Sequence, residues 1–377
     1  MIGVNTVIFL LFVATTLAFF AKKRKRVKRE GVFLLYRTKR FVSLFDFLAK
    51  KSPFLWRLIA TLSIFLSLLL SIEISELIIT TVLVLRENVG VQLILPSPFP
   101  AIESKPFLFL IPCWMWLVAL VLIIFPHEAM HGIVARCEKI KLKTTGLALL
   151  LIFPGAFVEP DENSFKRARL VSRLRVLAVG SAANYIVGFL LLHYLLPPLW
   201  SATYCDYLVV TKVFREDIKF LEGARIYAID NASAKPEIDT LYALLPASPA
   251  VAIGLDDTAI GVFSASGKID RSKNYTVLYT DRGVFNVTLR EDGKIGIQVK
   301  AVYKSYALKL LLSLLILTAV LSIAVALVNM LPIYPLDGGQ MLFNVLSEIL
   351  GEEKARRATE FFSALFIFLI VYSALPR

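Results

Sequence analysis

The sequence predicts a polytopic α-helical membrane protein with about six transmembrane helices, a re-entrant hairpin and one inserted β-rich domain outside the cytoplasm. Three observations predict it. The chain of 377 residues is 57% hydrophobic, with a mean hydropathy of +0.70. Its apolar residues come in blocks of membrane-spanning length instead of being dispersed as in a soluble domain. Basic residues gather at alternate ends of those blocks, while 201–304 is charged and balanced, with 13 basic and 13 acidic residues.

The elements follow in order. Residues 4–21 are an apolar run with the basic stretch Lys22-Lys23-Arg24-Lys25-Arg26-Val27-Lys28-Arg29 behind it. A signal peptide has its charges in front, so this order predicts a retained helix with its N-terminus outside. The net charge of +13 owes much to this run. Beside an apolar segment, such a run marks the cytoplasmic end of a span and not a nucleic-acid site. A second span starts near Phe54 and continues to about Leu70. Its extension, 71–85, carries Glu73 and Glu76, expected at the interface. The neutral, proline-containing 86–106 is expected to be an external loop. Residues 107–125 form a third span, with Arg136, Lys139, Lys141 and Lys143 behind it on the inner side.

Residues 146–158 are apolar but too short to cross, and Pro154-Gly155 interrupts them. A re-entrant hairpin or membrane-buried loop is expected. A fourth span, about 176–196, leads back outside. In 201–304, short alternating runs such as 275–279 and 284–289 flank turn sequences and predict strands. Three glycosylation-type sequons, at Asn231, Asn274 and Asn286, fall in the same region. A fifth span, about 307–331, and a sixth, about 359–375, complete a topology that satisfies the positive-inside rule at every loop. The predicted organisation is 1–106 (N-terminal helices and a basic cytoplasmic loop), 107–200 and 305–377 (a membrane core in two pieces) and 201–304 (the inserted domain). Cys113, Cys137 and Cys205 imply no disulfide framework.

His127-Glu128-Ala129-Met130-His131 carries the chemistry. On a helix, residues four apart share a face, so both imidazoles can reach one metal. Glu128, beside the first ligand, can take a proton from a water held there. Zinc accepts imidazole nitrogen and keeps a position for water in catalytic sites. The chain has three histidines, and two are spent here at the edge of an apolar run, where a polar pair needs a reason. Pro126, just before His127, would kink the helix or open it and so help admit water. The remaining histidine, His193, is expected near the outer end of the fourth span and is read as a packed or interfacial residue. The third ligand is expected to be Asp337. It lies in Asn329-Met330-Leu331-Pro332-Ile333-Tyr334-Pro335-Leu336-Asp337-Gly338-Gly339, which follows the fifth span on the same membrane side as His127. Two prolines and two glycines let that stretch break and dip among the helices.

Together these elements resemble the site-2 proteases, intramembrane metalloproteases that release membrane-tethered proteins. The resemblance rests on His127 to Gly132 as HExxHG and on Asn329 to Gly339 as the family's NxxPxxPLDGG element. Gly155-Ala156-Phe157-Val158 also matches, and Gly180-Ser181-Ala182-Ala183-Asn184 looks like the family's GPxxN element. This chain has Met330 and Ser181 where the family commonly has proline. The resemblance implies that His127, His131 and Asp337 bind zinc and that Glu128 activates water. It makes Asn184 and Asn329 candidates for orienting substrate or stabilising an oxyanion, the alternative being hydrogen bonds between helices. It also implies a PDZ-like character for 201–304. Leu221 to Ile226 and Lys294 to Ile297 look like PDZ fragments, although no clear carboxylate-binding loop is visible.

The expected activity is hydrolysis of a peptide bond within or beside a substrate's transmembrane helix. The expected partners are membrane-spanning proteins already trimmed by another protease, and the lipid bilayer, with no nucleic acid. The expected place is a multi-pass position in the membrane, the cell membrane for a prokaryotic source. One rival is a membrane zinc protease of another family, which would complete its site with a glutamate on a later helix. The other is a metal transporter or inactive scaffold, which should carry polar residues along several spans.

Overall fold

The computed structural model describes residues 3–31, 33–85, 93–99, 102–105, 108–150, 153–247, 249–270 and 272–374. By packing, the chain divides into two units: 1–100, 105–189 and 318–377 form the first, and 101–104 with 190–317 the second. Five helices among the described residues are long and apolar enough to cross a membrane: Val4–Lys22, Pro53–Val84, Cys113–Cys137, Leu170–Thr203 and Tyr306–Asn329.

The first unit contains a four-stranded antiparallel sheet, β1 (Val27–Glu30), β2 (Phe33–Thr38), β3 (Leu142–Leu150) and β4 (Phe153–Pro160), in that spatial order. Its helices are α1 (Val4–Lys22), α2 (Val42–Lys51), α3 (Pro53–Ile79), α4 (Cys113–Cys137), α5 (Leu170–Leu190), α6 (Tyr306–Asn329, shared with the second unit), α7 (Asp337–Leu350) and α8 (Glu352–Ala374). Pro53 stands in the first turn of α3, where its missing N–H costs nothing. Ala60, Val134, Ala135, Val176 and Val179 pack α3, α4 and α5 together. Leu70, Leu177, Ala178, Ala326, Met330 and Met341 join α3 and α5 to α6 and α7. Small residues at these contacts let the backbones approach, as packing within a bilayer requires. Ser67 donates to the Ala178 carbonyl at 3.0 Å, a further tie between α3 and α5.

Several sequence expectations change here. The third span was expected over 107–125, but Leu108–Pro112 is a strand paired in parallel with Leu93–Ser97, and the helix starts at Cys113. That helix runs on to Cys137, so the His-Glu motif lies inside it, and the helix continues across Pro126. The apolar stretch 146–158 falls within two antiparallel strands, β3 and β4, with 151–152 outside the described residues. The basic region after α1 is not plain loop. The apolar-aromatic run Phe33 to Tyr36 makes β2, which adds to the 146–158 hairpin. The expected sixth span is helical, as α8, but it opens on Glu352, Glu353, Lys354, Arg356 and Arg357 and is not among the five. Most of the expected loop 86–106 lies outside the described residues.

The second unit has a sheet of β5 (Tyr204–Val213), β6 (Arg225–Ile229), β7 (Tyr275–Thr280), β8 (Gly283–Thr288) and β9 (Ile297–Tyr303), in the order β8-β7-β6-β5-β9. The two runs read as strands, 275–279 and 284–289, are β7 and β8, joined at Asp281-Arg282. Helices Ile238–Ala247, Pro249–Gly254 and Asp257–Ser266 were not anticipated within it. Asp256 caps the last of these, accepting from the Thr258 and Ala259 N–H groups.

Candidate metal centre

His127 and His131 stand one turn apart on α4, with the two rings in edge contact. Their Nε2 atoms are 3.1 Å apart. The chain breaks after α6, turns through 330–336, and re-enters a helix with Asp337 in its first turn. The two glycines that follow are needed there. A side chain at Gly338 would come within 2.3 Å of the Met330 carbonyl oxygen, and one at Gly339 within 2.4 Å of Ile333 backbone. Asp337 Oδ2 thereby lies 3.4 Å from His127 Nε2 and 3.5 Å from His131 Nε2. Two imidazoles and a carboxylate form one group that can hold a metal ion. A tetrahedral zinc with ligands at about 2.0–2.1 Å sets them about 3.3 Å apart. The triangle of 3.1, 3.4 and 3.5 Å matches one face of such a tetrahedron and leaves the fourth corner open. The donor set therefore fits zinc.

The ligands are themselves held. His131 Nδ1 donates to the Val176 carbonyl at 2.6 Å, which leaves Nε2 with its lone pair free. Asn184, 1% exposed, reaches His127 Nδ1 at 3.3 Å with its amide nitrogen, and its Oδ1 has no partner. Turning the amide over sets that oxygen against an Nδ1–H, which fixes His127 in the same tautomer. Ser181 Oγ donates to Asp337 Oδ2 at 3.2 Å. Gly180 lies against both rings: a Cβ there would sit 2.3 Å from His131 Nε2 and 2.9 Å from His127 Cε1. Only glycine lets α5 come this close.

Glu128 points to the sheet. Its Oε2 accepts the Val158 N–H of β4 at 2.9 Å. β4 is the last strand in its sheet, so that N–H belongs to the open edge. A cleft of about 1030 Å³ runs between these parts, bordered by His127, Glu128, His131, Val158, Asn329 and Asp337. Asn329 reaches it from the end of α6.

The sequence pattern of peptidase family M50 matches residues 115–373, more than half of the chain. The chain belongs to peptidase family M50. This is the family of the site-2 proteases, which are membrane-embedded metalloproteases. The M50 chain is similar to an uncharacterised protein of Methanocaldococcus jannaschii, 28% identical over 338 residues, covering 86% of this chain and 80% of that one. It is 45% identical over 67 residues to a Bartonella henselae protein provisionally named as a zinc metalloprotease, covering 17% of this chain and 19% of that one. Gly180, Ser181 and the Val158 N–H were not singled out as site residues from sequence. The GPxxN-like stretch contained the first two, but only their approach to the ligands reveals what they do.

Proposed function

We propose that this M50 peptidase is a zinc-dependent endopeptidase that cuts a peptide bond within or beside the transmembrane segment of a membrane-tethered protein. His127, Glu128 and His131 on a helix of membrane-spanning length, with Asp337 brought to both imidazoles from α7, carry the reading. When bound, zinc would polarise the scissile carbonyl and acidify a water at this site. Glu128 takes the proton from the attacking water and passes it to the leaving amide nitrogen. Val176 and Asn184 hold the two imidazoles, and Ser181 steadies the Asp337 carboxylate. The contact to His127 favours a positioning role for Asn184, which leaves Asn329 as the candidate donor to substrate or oxyanion.

A helical substrate hides its carbonyls in hydrogen bonds and has to be unwound before it can be cut. The open edge of β4 can take an extended segment as an added strand. The Val158 N–H beside Glu128 would then bring the scissile bond to the site. In this reading residues 146–158 of β3 and β4 form the re-entrant hairpin, α8 is the sixth span, and 201–304 is a PDZ-like domain outside the cytoplasm. The test is to purify the chain in detergent, measure its zinc, and assay single-span substrates with wild type and Glu128→Gln. Cleavage within the apolar segment by wild type alone, with zinc kept in both, supports the reading. Equal turnover by the two removes Glu128 from its role.

A further inference from the structure

The connection between α1 and α3 holds an apolar stripe and a concentration of charge that the catalytic site does not use. α2 is apolar on two sides. Phe45 and Ala49 are buried, and they pack on Ile133 and Cys137 of α4. Phe41, Leu44 and Phe47, three residues apart in turn, point away and are 46%, 40% and 63% exposed. Residues three apart lie along one stripe of a helix. A single residue, Ser52, separates α2 from α3, which is one of the five membrane-length helices. Phe54 at the start of α3 is 79% exposed, and Trp56 beside it donates to the Leu48 carbonyl of α2 at 2.9 Å. Aromatic residues at a span end mark the level of the headgroups.

Cations frame this stripe. Lys39, Arg40, Lys50 and Lys51 are exposed at the ends of α2, and the seven Lys and Arg of 22–29 occupy the end of α1 and the edge strand β1. None of the eleven pairs with a carboxylate of the described residues. In this connection Glu30 pairs with Arg37, and Asp46 pairs with Arg136. A stripe of large apolar residues bounded by lysines, tied to the end of a span, is the arrangement of a helix lying in the headgroup region. Cations with no carboxylate partner among the described residues call for anionic headgroups.

We infer that α2, with the basic run 22–29, forms a binding surface for anionic phospholipid headgroups of the leaflet in which α1 ends and α3 begins. The inference rests on the membrane reading and not on the peptidase activity. It has a consequence for the site. A side chain at Gly132, next to His131, would meet the Phe45 ring at 2.5 Å, so α2 lies directly on the helix that carries the metal ligands. The charge of the leaflet therefore bears on α4 through one packed layer.

The test uses the full chain with Cys205→Ser and Phe47→Cys, labelled with a small fluorophore and reconstituted in phosphatidylcholine vesicles with or without phosphatidylglycerol. The expected result is quenching by lipids brominated near the carbonyl end of the acyl chain, with little quenching by aqueous iodide. Leu44→Cys should behave alike, whereas Ser272→Cys, exposed in the second unit, should be open to iodide. Phosphatidylglycerol should strengthen the lipid quenching and salt should weaken its effect. Each cation near an anionic surface is worth about fivefold in partition, so Lys50→Gln with Lys51→Gln should remove much of the phosphatidylglycerol effect. Free access of iodide to residues 44 and 47 overturns the inference, and so does lipid quenching that is the same with and without phosphatidylglycerol. Retention of a labelled DNA duplex at physiological salt, lost in the same lysine variant, would assign the cations to nucleic acid and also overturn it.

Discussion

Gly180 shows how narrow the tolerance around the ligands is. A methyl group there would sit 2.3 Å from His131 Nε2, the atom offered to the metal. Gly180→Ala should lower zinc affinity by about 10–100-fold, the range seen when a supporting residue of a metal site is lost. Competition with a fluorescent chelator measures it, and unchanged affinity would mean that α5 can shift without cost. Asn184 makes a sharper case. Asn184→Asp keeps an acceptor for the His127 Nδ1–H and should retain zinc, whereas Asn184→Leu should lose about tenfold or more. Equal losses in both would return Asn184 to a simple packing role. The residues singled out from the sequence bear chemistry in their side chains: His127, Glu128 and His131 at helical spacing, Asp337 through its turn-rich stretch, and Asn184 and Asn329 through the family resemblance; the structure brings all six to one cleft or its wall. Gly180 acts by lacking a side chain and Ser181 through one hydrogen bond to a residue 156 positions away. Nothing in local spacing announces either.

The elements are joined by charge as well as by packing. Glu138, at the end of α4, has a side chain only 4% exposed. It pairs with Arg175 of α5 at 2.9 Å and Arg57 of α3 at 3.5 Å, and accepts from Ser172. Removing one partner of a buried pair leaves the other uncompensated, which typically costs about 3–5 kcal/mol. Glu138→Ala should lower the melting temperature in detergent markedly, and no change would show that water already solvates the arginines. Glu159 ties the sheet. Burial pushes its carboxyl up, but hydrogen bonds from Lys143, Arg37 and Thr144 outweigh this and bring its pKa down to about 2. A lowered folded pKa gives stability that is present above the ordinary carboxylate range and lost as pH falls towards the folded value. Relative to the intrinsic exchange rate at each pH, hydrogen-exchange protection in β3 and β4 should therefore fall between about pH 5 and pH 2, and Glu159→Gln should flatten that dependence. The helices of membrane-spanning length were legible at this scale because apolar length identifies them, whereas α2 and α7, shorter and mixed in composition, were not. Their ends were not: Leu108–Pro112 is as apolar as the helix it precedes, and pairing with Leu93–Ser97 makes it a strand. β2 also escaped the sequence reading, because its near partner β1 is a run of charged residues and its other partner β3 lies more than a hundred residues away.

At the scale of the whole molecule, the inserted domain joins the helix that carries Asn184 to the helix that carries Asn329. A filter on substrate bulk is the role we propose for it. Replacing 205–302 by a flexible linker should let a substrate with a folded external domain be cut, while a trimmed substrate is still cut. If the bulky substrate stays resistant and the trimmed one is cut normally, the domain is no filter. The composition made the insertion legible through its balanced charge. Its three helices were less so, since Ile238–Ala247 and Asp257–Ser266 are short and mix with strand-forming sequence.

In the proposed chemistry Glu128 moves the proton at a zinc held by His127, His131 and Asp337. Its most direct test is the cleavage of a single-span substrate by purified, zinc-loaded chain, with product masses read for wild type and Glu128→Gln side by side. Wild type should cut within or beside the apolar segment and the variant should not, although both carry zinc. A variant that holds zinc and cuts the same bond as fast as wild type would contradict it.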